Sequence, residues 1–240
     1  MWLSVDPLSH LSPSQTPYHF VSNNPVMRID PNGLTDYTLN KKSGKITVVK
    51  GTETTTGTDR LIAGKARYNK AGGLKNKNFH EVDKSVFGTG KGKGDLNTTP
   101  LPDKSGTGTV DVQTFSMGTG KESEELYDFI GWNTKAEVAK CDLKTGSGSA
   151  ESVFFSSGQR EGVDWGTNYL EGRKAADPDL LLIDATHNHG NLRGGVLGSI
   201  GPSGPDKQQV DYLLNGVGAP GGTPVFNQKT PPTFNIWRFG

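Results

Sequence analysis

The segment that most constrains the fold is residues 179–206, DLLLIDATHNHGNLRGGVLGSIGPSGPD. Its four consecutive aliphatic residues, Leu180 to Ile183, leave no polar face and predict a buried strand. After a glycine-rich loop, Ser203-Gly204-Pro205-Asp206 has the form of a capping box with Asp in place of the usual Glu. Apolar residues at helical spacing follow it: Val210, Leu213, Leu214 and Val217. The segment therefore predicts a strand, a loop and the start of a helix.

Two histidines lie at the end of this predicted strand. If the strand continues through His189, its two-residue period places Leu181, Ile183, Ala185, His187 and His189 on one face. Two imidazoles on one face supply half of a tetrahedral zinc shell, which a carboxylate and a water complete. Asp206 is the nearest carboxylate that a helix start would hold in place. We therefore expect His187, His189 and Asp206 to bind Zn²⁺.

A carboxylate also falls on the apolar face of an upstream strand. In residues 134–143, TKAEVAKCDL, strand alternation puts Glu137 on the face of Ala139, Cys141 and Leu143. A buried carboxylate is costly unless it is paired or its pKa is raised, and a raised pKa suits a general base. Glu137 is thus the candidate base, with Glu151 and Glu161 as alternatives. The other interpretation is that Glu137 reaches solvent from the strand end.

His187-Asn188-His189, followed by Ser203-Gly204-Pro205-Asp206, resembles the H-x-H…S-x-x-D signature of the JAB/JAMM metalloproteases and isopeptidases. The resemblance implies zinc held by His187, His189 and Asp206, with Glu137 as the catalytic glutamate and Ser203 stabilising the oxyanion. It also implies a mixed sheet flanked by helices, an architecture like that of cytidine deaminases. The family usually has Pro where this chain has Gly190. Residues 190–202 form a longer loop between the second His and the Ser than is usual in the family. This longer loop affects the expected substrate groove more than the expected metal site.

The first 34 residues are a series of turn signals, such as Asp6-Pro7, Asn24-Pro25 and Asp30-Pro31-Asn32-Gly33. They resemble the end of the RHS-repeat core, whose last element is a D-P-x-G-L like the one from Asp30 to Leu34. In that family a variable toxin domain follows the core. The resemblance implies an effector released from an RHS shell, with an immunity protein as its cognate partner and the target-cell cytoplasm as its place of action.

The fold expected from the sequence is α+β, in three parts. Residues 1–34 are the RHS core remnant. Residues 35–118 are a basic region with a hairpin over 37–49 and a glycine-rich linker over 88–108. Residues 119–240 are the JAB/JAMM-like metallohydrolase domain, which begins with a capping box, Thr119-Gly120-Lys121-Glu122. A helix follows, predicted by Leu126, Phe129 and Ile130 at helical spacing. The domain ends with two strands, over 223–227 and 234–238.

Composition limits the possible classes. Apolar residues make up only 32% and the chain has 33 Gly and 14 Pro, so part of it is loop. The single Cys141 excludes an internal disulfide framework. No apolar run approaches the roughly 20 residues of a membrane span, and no signal peptide opens the chain. We therefore expect a delivered effector without a secretory signal and without a membrane partner.

Charge is unevenly distributed along the chain. Residues 35–94 carry 13 Lys and Arg against 5 Asp and Glu, whereas residues 95–240 carry 12 against 18. A basic segment is typical of nucleic-acid binding, but few aromatic residues accompany this one. We expect the basic region to pack against, or solubilise, the acidic domain and do not expect nucleic acid as a partner.

Three functions are compatible with these patterns. The first is a zinc hydrolase that cuts peptide or isopeptide bonds in a protein substrate. The second is a nuclease toxin, although an HNH nuclease would need those residues widely spaced rather than contiguous. The third is a non-catalytic binding module whose histidines only pack or hydrogen-bond. The order of Glu137, the H-x-H element and Ser203/Asp206 favours the hydrolase.

Overall fold

The computed structural model describes residues 34–53, 58–70, 72–87, 96–102, 108–157, 164–188, 204–216, 218 and 220–237. Within them the chain is α+β, as the sequence predicts, and it forms two mixed sheets with few helices. The first sheet has the order β2-β1-β3-β4 and comprises β1 (Thr35–Leu39), β2 (Ile46–Val48), β3 (Thr58–Ala63) and β4 (Phe79–Asp83). β1 runs parallel to β3, and the other pairs are antiparallel.

The second sheet has six strands in the order β10-β9-β7-β8-β6-β5. They are β5 (Asn97–Pro102), β6 (Thr109–Gly118), β7 (Val138–Lys144), β8 (Ala150–Ser156), β9 (Leu181–Asn188) and β10 (Thr233–Trp237). Only the β9–β10 pair is parallel. The helices are α1 (Lys84–Phe87), α2 (Lys121–Asn133), α3 (Asp164–Ala176) and α4 (Gly204–Val210), which continues as a π-helical turn over Asp211–Asn215.

Local sequence patterns account for the hairpin of β1 and β2. β1 and β2 pair antiparallel, with Tyr37 opposite Val48, so the predicted hairpin over 37–49 is confirmed. Its turn is held by Asn40, whose Oδ1 accepts hydrogen bonds from the backbone amides of Lys42 and Ser43. This is the local side-chain to backbone bonding for which asparagine is favoured in turns.

The six-stranded sheet carries an apolar cluster on each face. One face packs with α2 and the four-stranded sheet, through residues that include Leu39, Leu61, Phe115, Leu126, Ile130, Val138 and Phe154. The other packs with α3 and the segment after α4, through residues that include Val112, Ala139, Cys141, Val153, Phe155, Leu170, Leu182 and Leu213. We call these the first and the second cluster.

The two sheets are joined by a buried side chain. Gln113 of β6 accepts a hydrogen bond from the Ile46 amide at 2.7 Å and donates one to the Ile46 carbonyl at 2.8 Å. Nearby, Gly44 has a φ of 65°, and a Cβ there would lie 2.8 Å from Ser156 Oγ on β8. The turn of the first sheet therefore lies directly on the second.

Part of the predicted linker over 88–108 is a strand in the structure. Residues 97–102 form β5, which pairs with β6 over six residues. Pro100 and Pro102 have no amide hydrogen to donate, which fits the position of β5 at the end of the strand order. The boundary predicted at 118/119 falls after β6, and β5 and β6 lie in one sheet with β7–β10.

Helix α2 is present where the sequence predicts it, but its cap is different. Leu126 and Ile130 are buried at helical spacing, as expected. The helix begins one residue later than the predicted box requires, so its N-cap is Gly120, with a φ of 123° and no side-chain cap. The hydroxyl of Ser123 instead donates to the Gly120 carbonyl. The predicted capping box of Thr119 and Glu122 is therefore wrong.

Strand β9 contains a bulge that changes which residues face the core. Asp142 pairs with Asp184 and Leu143 pairs with Leu182, so Ile183 has no partner on β7. Such an extra residue reverses the alternation along the strand. Leu182 is buried, whereas Leu181 and Ile183 are 36% and 48% exposed. The predicted burial of Leu181 and Ile183, and their predicted common face with Ala185 and His187, are therefore wrong, whereas the common face of Ala185 and His187 is confirmed.

Near the C-terminus, β10 confirms the second of the two predicted final strands, but residues 223–227 are irregular. No helix in the described part of the chain has both the length and the apolar character needed to cross a membrane.

Candidate functional site

The candidate site begins at the residue preceding β7. Glu137 is only 8% exposed, between Ala136 and Val138, which are also buried. The predicted burial of this carboxylate is confirmed, so the interpretation in which it reaches solvent from the strand end is wrong. Ionised carboxylates are strongly solvated in water, and burial of one is unusual outside ion pairs and functional sites.

His187 lies beside Glu137 because of the register between two strands. His187 of β9 is paired with Ala139 of the antiparallel neighbour β7. Directly opposite residues point to the same face of a sheet, and residues two apart on a strand do so as well. His187 therefore lies on the face of Ala139 and the second cluster, and the same alternation, continued one residue before β7, places Glu137 on that face. His187 itself is half-buried.

Asn188 fixes the junction between these two strands. Its side chain is fully buried, its Oδ1 accepts a hydrogen bond from the Val138 amide at 2.6 Å, and its Nδ2 donates to the Ala136 carbonyl at 3.4 Å. It thus binds the backbone on both sides of Glu137. Sequence reasoning missed this role, and the only signal for it was the position of Asn188 between two histidines.

The other predicted site residues are described only in part. His189, Ser203 and the alternative base Glu161 lie outside the described residues. Asp206 is in α4, as its predicted place at a helix start requires, but its side chain is not described. Among the residues that the structure does describe, no group of three or more His, Cys, Asp or Glu is placed to hold a metal ion. The full ligand set therefore stays a prediction.

The alternative base Glu151 is far from His187. Glu151 is paired with Leu143 of β7. Leu143 is six residues along the chain from Glu137, and six residues span about 20 Å at the rise of a strand. It also accepts a hydrogen bond from Arg173 in an ion pair. The charge of Glu151 is therefore balanced by Arg173, and Glu151 is remote from the start of β7. Glu137 is the better candidate base.

The residues of the second cluster on this face of β7 are apolar. Cys141, the only cysteine in the chain, is buried on the face of Ala139. Burial raises the pKa of its thiol to about 12. At neutral pH it is an uncharged apolar side chain, so thiolate chemistry is not available from Cys141.

On the opposite face of β7 is a buried ion network. Lys140 is 1% exposed, and its Nζ lies 2.5 Å from Glu124 and 3.0 Å from Asp142. Burial lowers the pKa of Lys140, but hydrogen bonds from its ammonium to the two carboxylates outweigh this and raise it. The lysine is therefore a fixed cation on the face away from Glu137.

No protein-family model matches this chain, and comparison with curated proteins and with solved structures also gave no match.

Proposed function

We propose that the chain is a zinc-dependent hydrolase of peptide or isopeptide bonds. One observation carries the proposal: the register of β7 and β9 places His187 opposite Ala139, only two residues along the chain from the buried Glu137. A general base and an imidazole ligand need this proximity if both are to reach one water molecule. The JAB/JAMM-like order of motifs supports the assignment independently of the fold.

The proposed ligands have the donor types that zinc prefers. Neutral imidazole nitrogens and a carboxylate oxygen are typical ligands of a catalytic zinc, which keeps a fourth position for water or substrate. In the proposal His187, His189 and Asp206 hold the ion. When bound, zinc polarises the scissile carbonyl and makes water more acidic.

Glu137 moves the proton in the proposed reaction. Its carboxylate accepts a proton from the attacking water and then delivers it to the leaving nitrogen of the amide. The burial of Glu137 favours this role because it keeps the carboxylate out of bulk water. Ser203 is proposed to donate a hydrogen bond to the oxyanion.

Asn188 is a positioning residue in this proposal. Because it bonds the backbone at residues 136 and 138, it sets the distance between the end of β9 and the backbone that carries Glu137. A shift of about 1 Å in such a constellation is enough to lower a rate by about 10²-fold.

The biological setting follows from the RHS resemblance of residues 1–34. We propose that the hydrolase is the toxin tip of an RHS-type effector, that its substrate is a protein or peptide in the target cell, and that an immunity protein protects the producing cell.

The test combines zinc content with toxicity in cells that lack an immunity protein. Glu137→Gln is expected to keep zinc but lose about 10²- to 10⁴-fold in hydrolysis, and toxicity with it. His187→Ala is expected to lose zinc and activity together. Glu81→Gln, at an exposed glutamate of β4, is the matched control and should keep both.

Two results would overturn the proposal. Equal zinc in the wild type and in His187→Ala would remove the metal assignment. Full toxicity of Glu137→Gln would remove the proposed base. If the chain is instead a nuclease, the wild type should cleave DNA or RNA and should not hydrolyse peptides. The same variants should then change the rate of nucleic-acid cleavage.

A further inference from the structure

The loop between β3 and β4, residues 64–78, carries a concentration of positive charge. Five cations lie within it, and no acidic residue occurs anywhere in residues 61–80. All five side chains are exposed: Lys65, Arg67, Lys70, Lys75 and Lys77. Such a concentration of like charge creates a positive surface potential, which attracts a partner of opposite charge.

The loop is held in shape by its own hydrogen bonds. The Lys75 amide donates to the Arg67 carbonyl at 2.8 Å, and the Asn69 amide donates to the Gly73 carbonyl at 2.9 Å. The Asn76 side chain accepts from the Arg67 amide and donates to the Lys65 carbonyl, at 2.8 and 3.1 Å. The backbone that presents the cations is therefore pre-organised, which lowers the entropy lost on binding.

These cations do not pack against the acidic part of the chain. None of the five forms an ion pair with any residue that the structure describes, whereas Arg60 and Lys84, which flank the loop, pair with Asp36 and Asp59. Of the two expected roles of the basic region, packing against the acidic domain is therefore not seen for this loop among the described residues, and the role in solubility is not tested. Its charge remains available to a partner outside the chain.

The composition of the surface indicates the kind of partner. Four of the five cations are lysines, and lysine is depleted at protein–protein interfaces, whereas phosphate contacts use both lysine and arginine. Phe79 follows the loop at the start of β4 and is 38% exposed. An exposed aromatic ring beside cations is the arrangement on which single-stranded bases stack.

We propose that the five cations of this loop, together with Phe79, bind single-stranded nucleic acid, through its phosphate backbone and one stacked base. We expect the binding to be independent of sequence, because contacts to phosphates and base stacking do not read base edges. It is also independent of the proposed zinc site, since it uses the other sheet of the molecule. Either proposal can fail while the other holds.

The test measures the binding of the full chain to a fluorescein-labelled 20-nucleotide oligo(dT) by anisotropy, at 50 to 300 mM KCl. If all five cations contact phosphates, the slope of log K against log [KCl] is expected to be about −3.5, from about −0.7 for each contact. The triple variant Lys70→Gln/Lys75→Gln/Lys77→Gln should bind more weakly, with a slope of about −1.4. Phe79→Ala should weaken binding about tenfold.

The matched control is the triple variant Lys50→Gln/Lys144→Gln/Lys229→Gln, which removes three exposed lysines from other elements. It should bind like the wild type. Absence of binding at 50 mM KCl, or equal loss in the two triple variants, would overturn the proposal. So would poly-L-glutamate binding through Lys70, Lys75 and Lys77 without oligo(dT) binding, which would indicate an acidic protein as the partner.

Discussion

The side chain of Asn188 accepts a hydrogen bond from the backbone amide of Val138 at 2.6 Å, across 50 positions of sequence. The same side chain donates to the carbonyl of Ala136, so it holds the two residues that flank Glu137. The end of β9 and the start of β7 are thereby fixed to each other by a side chain in addition to the backbone pairing of His187 with Ala139. The geometry of the candidate site depends on this contact.

Asn188→Ala should therefore destabilise the fold and disturb the site. It leaves the buried Val138 amide without its partner, and an unsatisfied buried group typically costs about 1–3 kcal/mol. Chemical denaturation measures the loss in unfolding free energy. Asn227→Ala removes an exposed asparagine and should change stability by less than about 0.5 kcal/mol. Equal stability of the two variants would show that the Asn188 contact contributes nothing.

The bulge at Ile183 predicts opposite outcomes for neighbouring residues. Leu182→Ala removes a fully buried side chain from the second cluster and should cost about 2–5 kcal/mol. Ile183→Ala truncates a side chain that is 48% exposed and should cost much less, about 1 kcal/mol or below. The comparison of their denaturation midpoints decides the register. A larger loss from Ile183→Ala would mean that β9 has no bulge.

Gln113 should couple the unfolding of the two sheets. Its amide makes two hydrogen bonds to the backbone of Ile46, and Gln113→Ala leaves both backbone groups buried without that partner. We expect a loss of about 2 kcal/mol or more and faster amide hydrogen exchange in β1 and β2. Gln208→Ala, at an exposed position of α4, serves as the control. Unchanged exchange in Gln113→Ala would show that the sheets do not depend on this bridge.

A fragment of residues 119–240 should not fold as the full chain does. It lacks β6, which pairs with β8 over six residues, and it lacks the residues of β1, β3 and β6 that complete the first cluster. Its β8 then exposes unpaired backbone and Phe154 exposes its ring. Circular dichroism with thermal unfolding tests this. A cooperative transition for the fragment near that of residues 34–240 would establish the C-terminal part as an independent domain.

His80 should make stability depend on pH. Burial of its ring, which stacks on Phe129 at 5.5 Å, lowers its pKa below the ordinary 6.5. The folded state thus binds fewer protons than the unfolded state, so stability decreases as the pH falls below about 6.5, until the pKa of the folded state is reached. His80→Phe keeps an aromatic ring but does not titrate. Its unfolding free energy should fall less than that of the wild type between pH 7.5 and 5, and an equal fall would assign the pH effect to other groups.

Much of the local structure could be predicted from the sequence. The helical spacing of Leu126 and Ile130 predicted α2, and the turn residues between two strand-like runs predicted the β1–β2 hairpin. The alternation around Ala139 and Cys141 predicted the burial of Glu137. Each of these features is set by residues a few positions apart, so local periodicity and turn chemistry are sufficient to predict it.

Only the tertiary structure decided the features that depend on pairing between distant segments. The place of β5 and β6 in the larger sheet, the bulge at Ile183 and the bridge from Asn188 all depend on partners far along the chain. The exposure of the cations in residues 64–78 was also decided there, since composition alone allowed them to pack against acidic residues. Strand register and side-chain burial follow from which segments meet, and a one-dimensional pattern does not contain that information.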